Sequence, residues 1–190
     1  MRISGGRARG IPLRVNKKSG VRPATETIRE RLFSSISQRI DHASILDLFA
    51  GSGAYGLEAL SRGAQQTTLV EKNRLVFSDL SSNLASVQKS ANLPADSGRL
   101  VKRDVLDFLQ DKATEPYDLI FVDPPYAELQ RLCPRVLRLL YTNEYLSTGG
   151  LLVIECPGDF FPESSDWKIH RTIGKDKRGT PVHRILIKES

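Results

Sequence analysis

Residues 47–56 read Asp47-Leu-Phe-Ala-Gly51-Ser-Gly53-Ala-Tyr-Gly56. They follow the apolar run SILDLF (44–49) and lead into a helical pattern from Gly53 to Arg62, so the segment is a glycine-rich turn between a strand and a helix. Glycines there let the backbone turn tightly and approach a ligand within contact distance. A second apolar run, QTTLVE (66–71), ends in Glu71, where a carboxylate can accept hydrogen bonds from both ribose hydroxyls of a nucleoside. Strand, glycine turn, helix and acidic strand end together predict nucleoside binding. Gly51, Gly53 and Gly56 fit a dinucleotide fingerprint literally, so this pattern alone leaves NAD and S-adenosylmethionine both open.

Outward from this unit the alternation continues. A helix from Arg74 to Lys89 is followed by a weaker strand, RLVKR (99–103), a short helix from Val105 to Gln110, and a strong strand, YDLIFVD (117–123). A helical segment carrying Leu132, Val136, Leu137 and Leu140 is interrupted or begun by Pro134, and LLVIE (151–155) follows Gly149-Gly150. Strands separated by helices imply βαβ units and a parallel sheet covered on both faces. The last two strands, WKIHRTI (167–173) and VHRILIK (182–188), leave no room for a helix between them and must be antiparallel. Upstream, Thr25 to Ile40 shows apolar residues four apart, the mark of an amphipathic helix, with Thr27 and Glu30 in capping-box spacing. RISGGRARGIPLRV (2–15) reads as small β-hairpin structure with basic side chains facing outward. The expected architecture is a Rossmann-like α/β fold: a seven-stranded, mostly parallel sheet ending in an antiparallel hairpin. A short basic N-terminal extension (1–24) precedes a main domain (25–190).

The chain has 190 residues, 28 Lys+Arg and 22 Asp+Glu, a formal net charge of +6. One domain of this size buries enough surface to fold without disulfides or metals. No apolar run approaches the roughly 20 residues that span a bilayer, and the basic N-terminus lacks the apolar stretch of a signal peptide. Cys133 and Cys156 match no zinc spacing, so no metal and a reducing cytoplasm are expected. The charge is uneven. Residues 1–22 hold seven basic residues (Arg2, Arg7, Arg9, Arg14, Lys17, Lys18 and Arg22) and no acidic one, and residues 167–190 hold seven basic and two acidic. Two basic ends on an acidic body suit a polyanionic partner.

Asp123-Pro124-Pro125-Tyr126 follows the fourth strand, at the edge where parallel sheets place their active sites. Two prolines stiffen the loop and remove two donors. The Asp123 carboxylate and the Pro124 carbonyl can then accept both hydrogens of an exocyclic amine, and Tyr126 offers a face on which a flipped base can stack. Such an amine is a poor nucleophile because its lone pair is delocalised; two acceptors favour a pyramidal nitrogen whose lone pair points at a methyl sulfonium. Asp47 suits the ammonium of a methionine moiety better than a pyrophosphate. Asp104 can accept from the adenine amino group or cap the following helix. Both tip the cofactor toward S-adenosylmethionine. Phe49 and Val105, beside these acids in sequence, complete the candidate cofactor set. His42, His170 and His183 show no ligand spacing and read as structural or surface residues.

DLFAGSGAYGLEALSRGA, VEKN and FVDPPY resemble class I S-adenosylmethionine-dependent methyltransferases that modify exocyclic amines. MRISGGRARGIPL with RPATETIRERLF narrows the likeness to the RsmD family, over Met1 to about Ile187. The resemblance implies methylation of a guanine N2 amine in 16S ribosomal RNA. It places Asp47, Gly51, Gly53, Glu71 and Asp104 at the cofactor and Asp123 to Tyr126 in the catalytic loop. It also matches Arg22, Arg29 and Glu30 to the family signature, with Ala24, Glu26 and Thr27 as departures near the RNA-facing entrance. The implied partner is 16S rRNA within the small subunit or its precursor, the protein acting as a monomer without membrane contact. Two other readings share parts of the pattern. A DNA adenine-N6 methyltransferase also carries DPPY but generally needs a target-recognition segment for which 190 residues leave no room. A non-catalytic RNA-binding assembly factor could retain the fold.

Overall fold

The computed structural model describes residues 1–15 and 26–189. Seven strands form one sheet: β1 (Ser44–Leu48), β2 (Gln66–Val70), β3 (Gly98–Val101), β4 (Tyr117–Val122), β5 (Leu146–Pro157), β6 (Trp167–Ile173) and β7 (Pro181–Lys188). Their spatial order is β3-β2-β1-β4-β5-β7-β6. The first five run parallel, and β7 lies antiparallel between β5 and β6. The mixed sheet and its terminal hairpin are as expected from the sequence. The insertion of β7 ahead of β6 is a matter of long-range pairing that local patterning does not encode.

Helices α1 (Glu26–Ser35), α2 (Gly56–Ser61) and α3 (Arg74–Ala91) pack on one face, where Phe33, Leu57 and Leu80 meet Ile45, Leu119 and Phe121. Helices α4 (Val105–Phe108) and α5 (Tyr126–Thr142) cover the other, where Leu132, Val136 and Leu140 meet Leu46, Ile120 and Leu152. Neighbouring strand residues divide between the two cores, as the period of two requires. Among the described residues no helix is long and apolar enough to cross a membrane.

Four local expectations are corrected. The first helix does not run to Ile40. It ends at Ser35, and a separate 3-10 turn spans Ser37–Arg39. The Ser35 hydroxyl bonds back to the Leu32 carbonyl at 2.8 Å, the competition with the helix that serines offer. Thr27 lies inside α1 and therefore caps nothing. Helix α5 starts at Tyr126 and runs through Pro134, which is exposed, while the buried face from Leu129 to Leu140 holds the helix together. Strand β5 starts before the glycine pair: Gly149-Gly150 sits at a register shift within it, with Tyr117 opposite Leu146 but Leu119 opposite Leu151.

The N-terminal residues pair as a small hairpin: Arg2 bridges Pro12 antiparallel, with Ile3 N–H to the Ile11 carbonyl (2.9 Å), Gly10 N–H to the Ile3 carbonyl (2.8 Å) and Leu13 N–H to the Met1 carbonyl (3.0 Å). The turn between the arms is tied to α2: Arg7 N–H to the Ser61 carbonyl (2.7 Å), Ala8 N–H to Ser61 Oγ (2.9 Å) and Ser4 N–H to Glu58 Oε2 (2.7 Å). Ile3, Ala8 and Leu13 join the core, so this segment is anchored while Arg2, Arg7, Arg9 and Arg14 remain exposed. Beneath it Glu58, fully buried, pairs with Arg62 (2.8 Å) and with the equally buried Arg29 (3.5 Å). Lys17, Lys18, Arg22 and the expected domain boundary at residue 24 lie outside the described residues.

Candidate active site

The C-terminal ends of β1, β2 and β4 open into a cleft lined by Phe49, Gly51, Glu71, Val105, Asp123 and Pro125. The turn after β1 supplies its floor. Phe49 (φ 62°), Gly51 (φ 55°) and Gly53 (φ 80°) all have left-handed backbone, which for Phe49 costs about 1–3 kcal/mol. The turn is held by hydrogen bonds from Ala50 N–H to the Val70 carbonyl (3.0 Å) and from Gly53 N–H to the Ala50 carbonyl (2.7 Å). A Cβ on Gly53 would fall 2.7 Å from Leu80 Cδ1 and 2.8 Å from Leu57 Cδ1, so this glycine serves packing. A Cβ on Gly51 would meet nothing closer than 3.8 Å; this glycine faces the open cleft.

Glu71 is fixed by main chain. Its Oε2 accepts from Gly51 N–H (3.1 Å) and its Oε1 from Asn73 N–H (2.7 Å), and Asn73 itself caps α3. Each oxygen keeps a free lone pair, so the carboxylate is oriented for two further donors. Asp104 caps α4 through Leu106 N–H (2.9 Å) and pairs with Lys72 (3.1 Å). Its carboxyl is lowered by those bonds and by Lys72, against the raising effect of partial burial. Val70, Val76 and Val105 give the cleft apolar walls, and Met1, Arg14 and Val15 close one side. Glu71 and the apolar walls fit S-adenosylmethionine: paired acceptors for ribose and an apolar slot for adenine, with Asp104 outside the lining and engaged by Leu106 N–H and Lys72.

Not every candidate faces the cleft. Asp47, Gly53, Asp104, Pro124 and Tyr126 are outside its lining. Asp47 is buried, and its Oδ2 accepts the Gly56 N–H at 2.8 Å, tying the start of α2 to β1. A Cβ on Gly56 would sit 3.1 Å from that oxygen, 2.8 Å from Thr67 Oγ1 and 2.9 Å from Leu69 Cδ2. Burial, reinforced by the charge of Glu71 and opposed by the Gly56 bond, pushes the Asp47 carboxyl up to about 7.

Asp123 follows β4, with its N–H 3.5 Å from the Leu48 carbonyl. Pro124 is buried, Pro125 occupies the position before α5, and Tyr126 opens that helix and is 43% exposed. Burial raises the Asp123 carboxyl well above the usual carboxylate range, and the charges of Glu155 and Asp47 raise it further. Sequence reasoning missed Tyr55, which lines the cleft, and Glu155 and His183 behind it. Glu155 was within reach: it ends the LLVIE run as Glu71 ends QTTLVE.

The family model described as Conserved hypothetical protein 95 matches residues 1–179. The chain is 39% identical to Ribosomal RNA small subunit methyltransferase D of Escherichia coli (strain K12), across 100% of this chain and 91% of that protein. It is 33% identical to the protein of the same name from Haemophilus influenzae, across 84% of this chain and 80% of that one. Among solved structures, yhhF from Escherichia coli is 35% identical with a TM-score of 0.83, covering 100% of this chain and 98% of that one. SMU.776, solved in complex with SAH, shares the fold at a TM-score of 0.56 and 16% identity, over 82% of this chain and 49% of its own. By the near-complete match of the family model and the extent of identity to these relatives, the chain belongs to the RsmD family.

Proposed function

We propose that this protein transfers a methyl group from S-adenosylmethionine to the exocyclic N2 amine of a guanine in 16S ribosomal RNA. The observation that carries the reading is the position of Asp123. It lines the cleft formed by the glycine turn and Glu71, on a loop whose two prolines leave it with acceptors and few donors. S-adenosylmethionine, when bound, supplies the electrophilic methyl and leaves as S-adenosylhomocysteine, while the methylated amine loses one hydrogen as a proton to solvent.

The chain's own residues do the rest. Glu71 takes the ribose hydroxyls, and Asp104 together with the Val105 wall takes the adenine. Asp47 ties the glycine turn to α2 through Gly56 N–H, and it adds negative potential beneath the turn only above about pH 7, where its carboxyl ionises. The Asp123 carboxylate and the Pro124 carbonyl accept the amine hydrogens, which turns the nitrogen lone pair out of conjugation and toward the methyl. The catalytic contribution is orientation and electrostatics, with no covalent enzyme intermediate. Asp123 has to be ionised to accept, so burial, which favours its protonated form, sets the acid limb of activity.

Arg2, Arg7, Arg9 and Arg14, exposed on the anchored N-terminal segment, with Lys17, Lys18 and Arg22 beyond it, contact RNA phosphates. Residues 1–24 then act as an RNA-binding extension of a methyltransferase domain spanning 25–190. The substrate is the small subunit or its assembly intermediate, in the cytoplasm, and the enzyme works as a monomer. The test is transfer of radiolabelled methyl to 16S rRNA and to small subunits, with the modified nucleotide mapped by mass spectrometry. Label on a guanine N2 supports the reading, and label only on DNA adenine overturns it.

A further inference from the structure

Behind the catalytic loop lies a chain of polar groups that the transfer just described does not use. Glu155 is buried near the end of β5, with one tyrosine on each carboxylate oxygen. Its Oε1 accepts from the Tyr126 hydroxyl at 3.2 Å, and its Oε2 accepts from the Tyr55 hydroxyl. The Tyr55 oxygen also lies 2.7 Å from Nε2 of His183, the cross-strand neighbour of Glu155 on β7. The Tyr55 ring is fixed by stacking on Phe121, with centroids 5.1 Å apart.

These bonds have a direction. A carboxylate only accepts, so both phenols donate to Glu155. The Tyr55 oxygen is then left to accept, which places a hydrogen on Nε2 of His183. The other ring nitrogen, Nδ1, is buried without a hydrogen-bond partner among the described residues. The order runs from His183 to Tyr55 to Glu155, with Tyr126 feeding the same carboxylate from the solvent side. Three of the four members are buried, and Tyr126 is the only one at the surface.

We propose, resting on the amine-methylation reading, that Glu155 is a positioning residue for the target base: it holds the Tyr126 ring in the orientation on which a flipped guanine stacks with its amine at Asp123. A surface tyrosine at the first position of a helix has several rotamers open to it, and one bond to a buried, doubly held carboxylate selects among them. At 3.2 Å that bond is long for a carboxylate acceptor; catalytic hydrogen bonds are often long before substrate binds and tighten in the complex. Glu155 also faces Asp123 together with Asp47 from β1, Tyr55 from the glycine turn and Tyr126 from α5. Removing its charge therefore lets Asp123 ionise at lower pH.

The experiment measures kcat and KM for 16S rRNA across pH in Glu155→Gln, Tyr126→Phe and the double variant, with S-adenosylmethionine affinity by calorimetry. Each single change should lower kcat/KM for RNA about tenfold while cofactor affinity stays within twofold. The double variant should be little worse than either single one, because both remove the same bond. The acid limb should move to lower pH in Glu155→Gln and stay in place in Tyr126→Phe. Tyr126→Phe keeps the ring and removes one hydroxyl from a surface residue, leaving the Glu155 charge and its Tyr55 bond in place, so it tests the proposal even where Glu155→Gln fails to fold. Wild-type kcat/KM in Tyr126→Phe, multiplicative losses in the double variant, or an unmoved acid limb in an active Glu155→Gln overturns the proposal and leaves the methyltransferase reading intact. Failure of the unmodified protein to methylate rRNA overturns both.

Discussion

The two flanks of Asp123 are built differently. On the cofactor side the cleft is held by main chain: Gly51 and Asn73 N–H groups orient Glu71, and Gly56 N–H holds Asp47. On the opposite side the contacts are between side chains from four separate elements. Tyr55 reaches Glu155 across 100 residues of sequence and His183 across 128. Main-chain construction suits a ligand that is the same at every turnover. Under the proposed function, side-chain construction suits a half that would meet a particular base, since Glu155, His183 and Tyr126 can change without rebuilding the turn.

The sharpest test of this division removes the group between the flanks. Asp123→Ala should lower kcat by about 10³-fold, the scale of losing a preorganised acceptor in a water-poor site, while calorimetric S-adenosylmethionine affinity changes less than threefold. A parallel loss of cofactor binding would show that the flanks are one site. Next in size, Glu71→Ala should weaken S-adenosylmethionine binding by about 10- to 100-fold, with kcat at saturating cofactor close to normal. A kcat defect at saturation would assign Glu71 to chemistry as well.

Asp47 sharpens the comparison through stability. Its folded carboxyl stands at about 7, above the ordinary value of 3.8, so the folded state holds its proton more tightly than the unfolded state does. That contribution is present at pH 4 and is lost as pH rises toward 7. Asp47→Asn should therefore gain stability relative to the unmodified protein between pH 5 and pH 7.5 in urea unfolding without cofactor. A constant difference would mean the carboxyl is not held protonated. The smallest effect belongs to the N-terminal cations: neutralising Arg7 and Arg9 should weaken RNA binding a few-fold and reduce the salt slope by about one to two, with cofactor affinity unchanged. An unaltered slope would make them ordinary surface charge.

The same contrast explains what could be read before the fold was known. The glycine turn, Glu71 and DPPY are local: each is a short run whose backbone conformation follows from its own residues, so both the cofactor flank and the position of Asp123 were legible. Glu155 shares with Glu71 the end of an apolar strand run, a local sign of its place, whereas neither it nor His183 carries a local sign of its partner. Arg29 was matched as a signature position, but its burial against Glu58 appears only once α1 is laid beside α2.

By itself the sequence determined the parallel units, the closing hairpin, the glycine turn and the double-proline loop after β4, since hydrophobic period, glycine and proline act over a few residues. Tertiary structure alone decided that β7 enters between β5 and β6, which sets His183 opposite Glu155. It also turned Asp47 inward to α2, and it anchored the basic N-terminal segment on α2. These outcomes depend on which distant backbone and side-chain groups satisfy one another once water is excluded, and no short run of residues states that.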